Sequence, residues 1–107
     1  MKRLLFLCSQ NKLRSPTAEA VFCNHAGWEV RSAGLNTGAE VEVSAEDIEW
    51  AEYIFVMEPA HTRKLKTKFR RAIKQQKIIC LGIPDDYPYM DPALVQLFEK
   101  RVPGLVG

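Results

Sequence analysis

The sequence predicts an α/β domain in which a four-stranded parallel sheet carries helices on both of its faces. Three short apolar runs, residues 2–7, 53–57 and 78–83, lack the polar alternation of a strand with one solvated face, and this is typical of buried parallel strands. The runs alternate with segments of helical periodicity, as in chains built from β–α–β units. Because 107 residues suffice for one core, we expect a single domain over residues 1–107.

The first part of the chain is expected to fold as strand, polar loop, helix and strand. The first strand covers residues 2–7, and the helix begins at Pro16 with Ser15 as its N-cap. Apolar positions repeat at helical spacing as far as Gly27, which is expected to end this helix. The second strand is predicted over residues 28–32.

The second part of the chain is predicted to continue the alternation. Residues 34–42 are expected to form a loop, and Ser44 with Asp47 gives a capping arrangement for a short helix through Ala51. Asp91-Pro92 is expected to cap the last helix. The remaining predicted elements are a strand at 53–57, a helix over 60–73, a strand at 78–83 and the last helix over 92–102.

Residues 8–15, CSQNKLRS, combine a cysteine at a strand end with an arginine six residues later, just before a helix start. A loop that curls so tightly turns several N–H groups inward, at the positive end of a helix dipole, and this favours an anion. Positive potential also favours a thiolate at Cys8. The pattern therefore indicates nucleophilic catalysis on phosphate. The same residues also fit a second interpretation, in which Cys8 is buried and inert and Arg14 is solvated.

Four segments occur in a recognisable order: CSQNKLRSP at residues 8–16, RSAGLNT at 31–37, EDIEWAEYIFVME at 46–58 and IPDDY at 83–87. Together they resemble a shortened member of the low-molecular-weight protein tyrosine phosphatase family, whose first loop is Cys, five residues, Arg, then Ser or Thr and usually Pro. The resemblance implies a three-layer, flavodoxin-like fold with strand order 2-1-3-4. A helix that the family places after its second strand does not fit in this chain, so one side of the sheet is expected to be more exposed.

The resemblance implies a phosphatase that hydrolyses phosphotyrosine or small aryl phosphate monoesters and releases inorganic phosphate. Cys8 would form a cysteinyl-phosphate intermediate, and Arg14 would grip the phosphate. Ser15 would steady the thiolate, and Asn11, in a left-handed conformation, would hold the loop through Ser15 or Ser32. The residues expected to bind phosphate are Ser9, Gln10, Asn11, Lys12, Leu13, Arg14 and Ser15.

The leaving group needs a proton, and the acidic loop after the fourth strand offers carboxylates for this task. Asp85 aligns best with the family's catalytic aspartate. Asp86 is an alternative acid, since the family's Asp-Pro is here Asp-Asp. Tyr87 and Tyr89 fit either a pocket wall that stacks on an aromatic leaving group or ordinary packing.

Composition and cysteine usage favour a soluble protein of a reducing compartment, and no metal or cofactor is expected. The chain is 47% hydrophobic and 26% charged, and no apolar run approaches the length of a membrane span. Its three cysteines lack metal-type spacing, so we expect a reducing compartment, the cytoplasm, with Cys23 and Cys80 as core residues. These two cysteines do not form the close resolving pair that an arsenate-reducing relative needs. A membrane partner is not expected, and neither is nucleic acid.

Residues 63–77 contain eight basic side chains and no acidic one. The simpler interpretation is the solvated face of an amphipathic helix, and the other is a patch for a polyanion or an acidic partner. His61, at the start of this helix, is a further candidate for contact with substrate. The alternative to a phosphatase is a catalytically weak anion- or phosphoprotein-binding module, with the basic helix as its docking face.

Overall fold

Strands and helices alternate along the whole described chain, residues 1–106, of the computed structural model. In chain order the elements are β1 Lys2–Cys8, α1 Arg14–Phe22, β2 Trp28–Gly34, α2 Ala45–Trp50, β3 Tyr53–Val56, α3 Pro59–Lys68, β4 Lys77–Cys80 and α4 Pro92–Arg101, followed by a 3-10 helix at Pro103–Leu105. No helix among these residues has the length and apolar character needed to cross a membrane.

The four strands form one parallel sheet in the order β2-β1-β3-β4, which confirms the predicted fold class and strand order. Parallel pairing brings the carboxyl ends of all four strands to one edge of the sheet. At this edge Cys8 pairs with Gly34 of β2, and Leu7 pairs with Val56 of β3. The loop that follows Cys8 therefore lies at the centre of the carboxyl edge.

Each face of the sheet has its own apolar core. On one face, Phe6 stacks on Phe55 with ring centroids 5.1 Å apart, and α1 and α4 cover the pair. On the other face, Leu5 and Leu7 pack with Ile48 of α2 and Leu65 of α3. Successive residues of β1 thus enter opposite cores, which explains why the strand is continuously apolar.

Three helix boundaries differ from the predicted ones. Helix α1 ends at Phe22 rather than near Gly27, because a tighter turn follows in which the His25 N–H donates to the Phe22 carbonyl. Helix α1 begins at Arg14 rather than Pro16, and Ser15 is not its N-cap because the serine hydroxyl is bonded to other side chains. Helix α3 ends at Lys68 rather than near residue 73, since Phe69 leaves helical geometry at φ −123° and ψ 31°. The capping box of Ser44 with Asp47 and the cap by Asp91 are confirmed.

Strand β4 and two cysteines also depart from expectation. The strand ends at Cys80 rather than at residue 83, because Gly82 adopts φ +67° and interrupts the extended backbone. Cys80 is exposed rather than buried, since β4 is an edge strand. Cys23 is exposed as well, because it lies at the C-cap of α1, beyond the buried part of that helix.

Candidate active site

The loop between β1 and α1 closes around a pocket at the carboxyl edge of the sheet. The direction in which strands are added to the sheet reverses here, since β2 lies on one side of β1 and β3 lies on the other. Such switch points are where open α/β sheets bind ligands. The pocket has a volume of about 220 Å³ and is lined by Cys8, Ser9, Gln10, Lys12, Leu13, Arg14 and Asp85.

Backbone hydrogen bonds fix the orientation of the first peptide groups of this loop. The carbonyls of Cys8, Ser9 and Gln10 accept hydrogen bonds from N–H groups of the loop after β2, at 2.9–3.0 Å. In a trans peptide the carbonyl and the following N–H point in opposite directions, so the N–H groups of residues 9–11 face away from that loop. Within residues 1–106, the N–H groups of residues 9–13 have no hydrogen-bond acceptor. The loop therefore presents a series of free donors.

Residues 35–43, the loop after β2, support this arrangement from behind. Leu35, Asn36 and Glu40 supply the three donors, and no helix occurs between β2 and α2, as the sequence predicted. Close packing of the two loops requires glycine at position 34. A Cβ there would lie 2.9 Å from the Ser9 carbonyl oxygen and 3.0 Å from the Asn11 nitrogen.

Cys8 lies at the base of the pocket, 3% exposed, with its Sγ 3.0 Å from the hydroxyl of Ser15. Asn11 adopts the expected left-handed conformation at φ 56°, and its Nδ2 donates to Ser15 Oγ at 2.9 Å and to Ser32 Oγ at 3.1 Å. The Ser15 proton therefore has two acceptors, the sulfur and the Ala33 carbonyl at 3.4 Å. Ionisation of the thiol makes the sulfur the stronger acceptor.

Glu19 of α1 ends this hydrogen-bond chain. Ser32 donates its hydroxyl proton to the Glu19 carboxylate, so the Ser32 oxygen must accept from the Asn11 amide. The carboxylate thereby orients the Asn11 amide so that its Nδ2 donates to both Ser32 and Ser15. This role was not predicted from the sequence, because Glu19 and Ser32 lie on different elements and meet only in the folded chain.

Arg14 is 3% exposed and is held by three groups around its guanidinium. Its Nη1 donates to the Ile83 carbonyl at 2.8 Å and lies 3.4 Å from the Glu58 carboxylate, while its Nε lies 3.6 Å from Asp85 Oδ1. A buried guanidinium fixed on several sides is pre-oriented for bidentate contact with an oxyanion.

The two candidate acids occupy different positions. Both carboxyl groups are exposed, but Asp85 lines the pocket and faces Arg14, whereas Asp86 is not part of the pocket lining. Neither predicted tyrosine lines this pocket. Tyr87 packs against the apolar core, and Tyr89 is exposed beside a neighbouring groove that shares Lys12 with the pocket.

Buried His61 forms a second contact with the loop and is oriented by the backbone of Glu58. His61 is 4% exposed, its Nδ1 accepts from the Glu58 N–H at 3.1 Å, and its Nε2 lies 3.0 Å from the Ser9 hydroxyl. Burial, and next the nearby charge of Arg14, lower the pKa of His61 below its usual 6.5. The imidazole is therefore neutral at pH 7, with its proton on Nε2 directed at Ser9. Glu58 was visible in the sequence only as the end of the Met-Glu segment.

Known proteins resemble this chain in structure but not detectably in sequence. No family model matches the chain, and no curated protein matches it at the level of sequence. Among solved structures, tyrosine phosphatase Wzb from Escherichia coli K30, in complex with phosphate, superposes with a TM-score of 0.73 over 92% of this chain and 91% of that chain, at 20% identity. The low molecular weight protein tyrosine phosphatase SP-PTP from Streptococcus pyogenes gives 0.74 over 94% and 87%, at 21% identity. The chain has the low-molecular-weight phosphatase fold.

A third solved structure with this fold is described as an arginine phosphatase rather than a tyrosine phosphatase. The YwlE arginine phosphatase from Geobacillus stearothermophilus superposes with a TM-score of 0.71 over 94% of this chain and 90% of that chain, at 23% identity. The same low-molecular-weight phosphatase fold thus carries enzymes described as acting on tyrosine and on arginine.

Proposed function

We propose that this protein is a cysteine-dependent phosphomonoester hydrolase that acts on phosphotyrosine or small aryl phosphates. The observation that carries the proposal is the position of Cys8, 3.0 Å from a buried serine hydroxyl at the base of a pocket ringed by free loop amides and Arg14. A nucleophile opposite convergent donors is what phosphoryl transfer requires, since charge develops on three equatorial oxygens.

In the first step the Cys8 thiolate attacks phosphorus and the P–O bond to the leaving group breaks. The N–H groups of residues 9–13 and the Arg14 guanidinium bind the equatorial oxygens. Asp85, at the pocket wall, transfers its proton to the departing phenoxide, and a cysteinyl-phosphate remains.

In the second step water attacks the cysteinyl-phosphate. The Asp85 carboxylate, now ionised, takes a proton from this water, the S–P bond breaks, and inorganic phosphate leaves. The Ser15 hydroxyl stabilises the departing thiolate, since Asn11 Nδ2 donates to the Ser15 oxygen and the Ser15 proton is left for the sulfur.

The pocket rim favours an aromatic leaving group over a guanidinium. Leu13 lines the pocket and is 37% exposed, which gives an apolar edge for a phenyl ring. Lys12 lines the same pocket, and its ammonium would repel the positive charge of an arginine leaving group. The substrate is then a phosphorylated protein or a small phosphate monoester, met in the cytoplasm, where reducing conditions keep Cys8 as a thiol.

The test is hydrolysis of an aryl phosphate by the wild type, Cys8→Ser and Cys23→Ser, with phosphoarginine as a second substrate. We expect turnover of the aryl phosphate that vanadate inhibits and EDTA leaves intact, its loss in Cys8→Ser, and wild-type rates in Cys23→Ser, whose thiol is exposed and distant from the pocket. Faster hydrolysis of phosphoarginine would overturn the choice of substrate. Phosphate binding without turnover would favour the alternative, an anion-binding module whose free loop amides bind without catalysis.

A further inference from the structure

The basic side chains of this protein are concentrated on one part of its surface. Residues 63–77 hold eight of the fifteen Lys and Arg residues and none of the thirteen Asp and Glu, so the rest of the chain has seven basic and thirteen acidic residues. All eight basic side chains are exposed, and none forms an ion pair with a carboxylate among residues 1–106. The surface of residues 63–77 is therefore positive and not neutralised by carboxylates, while the rest of the chain is net negative. We call the surface of residues 63–77 the positive side.

Part of this positive side is concave. A groove of about 580 Å³ lies between the start of α2 and the end of α3, which is the size of a typical ligand site. Its lining includes half-buried Phe69 and buried Ala72 together with several cations. We call this site the basic groove, and its charged residues are Lys66, Lys68, Arg70 and Arg71.

The basic groove and the catalytic pocket are linked through the same supporting loop. Lys68 Nζ donates to the Leu35 carbonyl at 3.3 Å, and the Leu35 N–H donates to the Cys8 carbonyl at 2.9 Å. Helix α3 also begins at the pocket, where His61 contacts Ser9. Lys68 follows His61 by seven positions, a rise of about 10 Å along the helix.

We propose that the basic groove binds an acidic segment of the phosphorylated protein substrate, an inference that depends on the proposed phosphatase function. An extended peptide advances about 3.3 Å per residue, so carboxylates about three to five positions from the phosphorylated residue reach the groove. Nucleic acid fits less well, because the groove offers one half-buried aromatic ring for stacking and the remaining surface is net negative.

The experiment compares two phosphotyrosine peptides of equal length, with Glu or with Gln at three to five positions on both sides of the phosphotyrosine. We expect kcat/KM to be roughly tenfold higher for the Glu peptide, mainly through KM, and the difference to vanish at high salt, as for about three exposed ion pairs. The triple variant Lys66→Gln, Arg70→Gln, Arg71→Gln should abolish this preference. The control Arg63→Gln, Lys74→Gln, Lys100→Gln changes net charge equally outside the groove and should retain it.

The outcomes separate the groove from the catalytic reaction. If an aryl phosphate is hydrolysed but both peptides react equally well, the groove proposal is wrong and the phosphatase function stands. If both triple variants lose the preference equally, overall charge rather than the groove is responsible, and the proposal is overturned.

A binding measurement covers the case in which no substrate is hydrolysed. Fluorescence anisotropy of a labelled, phosphate-free Glu-rich peptide reports on the groove by itself, and we expect the groove triple variant to weaken binding roughly tenfold while the control triple does not. Absence of wild-type binding contradicts the groove. Stronger competition by a single-stranded oligonucleotide than by unlabelled acidic peptide would also overturn the proposal, in favour of a nucleic-acid site.

Discussion

Replacing Asp85 by Asn should slow the hydrolysis of phenyl phosphate by a factor of about 100 to 1,000. Asp85 lines the pocket beside Arg14, and an amide of the same size cannot donate the proton that phenoxide requires. Two to three decades of rate correspond to about 3 to 4 kcal/mol of transition-state stabilisation. The Asp85 side chain is 62% exposed, so loss of its 3.6 Å pair with Arg14 should cost less than about 1 kcal/mol of folding free energy.

The assay measures kcat/KM, which reports the step that releases the phenol, for phenyl phosphate and for p-nitrophenyl phosphate, with Asp86→Asn as a matched control. Nitrophenoxide is a weaker base and leaves with less help from an acid, so the effect of Asp85→Asn should be smaller on that substrate. Asp86→Asn should stay within about threefold of the wild type, because Asp86 is exposed and outside the pocket lining. The assignment of the acid is refuted if Asp86→Asn is the slower variant, or if Asp85→Asn slows both substrates equally.

Three other substitutions test the supports of the loop. Gly34→Ala should lower the free energy of unfolding by about 1–3 kcal/mol, since the new methyl group would clash with backbone atoms, and thermal melts measure this loss. The control is Gly104→Ala, whose new methyl group would meet no neighbouring atom within 4 Å and should leave Tm unchanged. Glu19→Ala should lower kcat about tenfold by releasing the Ser32 hydroxyl, whereas Glu19→Gln, whose amide oxygen still accepts a hydrogen bond, should retain most of the wild-type rate. Equal kcat values in the wild type and both variants would contradict a role of Glu19 in orienting Ser32. Because the pKa of His61 is lower in the folded than in the unfolded chain, its contribution to stability is complete above pH 6.5 and is lost as pH falls, when protonation favours the unfolded chain. Between pH 7 and 5 the Tm of His61→Gln should therefore decline less than that of the wild type. A steeper decline in that variant would contradict a neutral histidine.

The sheet and the first loop were predictable because their signals are local. Continuous apolar runs identify strands buried on both faces, and the loop with Cys8 and Arg14 occupies consecutive residues between a strand and a helix. The left-handed Asn11 follows from the tolerance of asparagine for positive φ. The sequence of strands and helices and the position of the loop therefore follow from local patterns, whereas the strand order came from the family resemblance.

The surrounding contacts could not be predicted, because they join segments far apart in the chain. His61 meets Ser9 across 52 positions, and Arg14 meets the Ile83 carbonyl across 69. The errors in predicting strand ends and the burial of cysteines also arise because these features depend on the fold rather than on local sequence. Whether Cys80 is buried depends on β4 lying at the edge of the sheet, which is a property of strand order rather than of the strand itself.

The isolation of Cys8 from the other two cysteines determines how this protein responds to peroxide. Cys80 is two strands away in the sheet, about 10 Å, which exceeds the roughly 7 Å span of a disulfide. Cys23 lies at the opposite end of the nine-residue α1. A sulfenic acid formed on Cys8 thus has no resolving thiol within the chain. Its recovery depends on an external thiol such as glutathione, and in the absence of one, oxidation proceeds to the irreversible sulfinic acid.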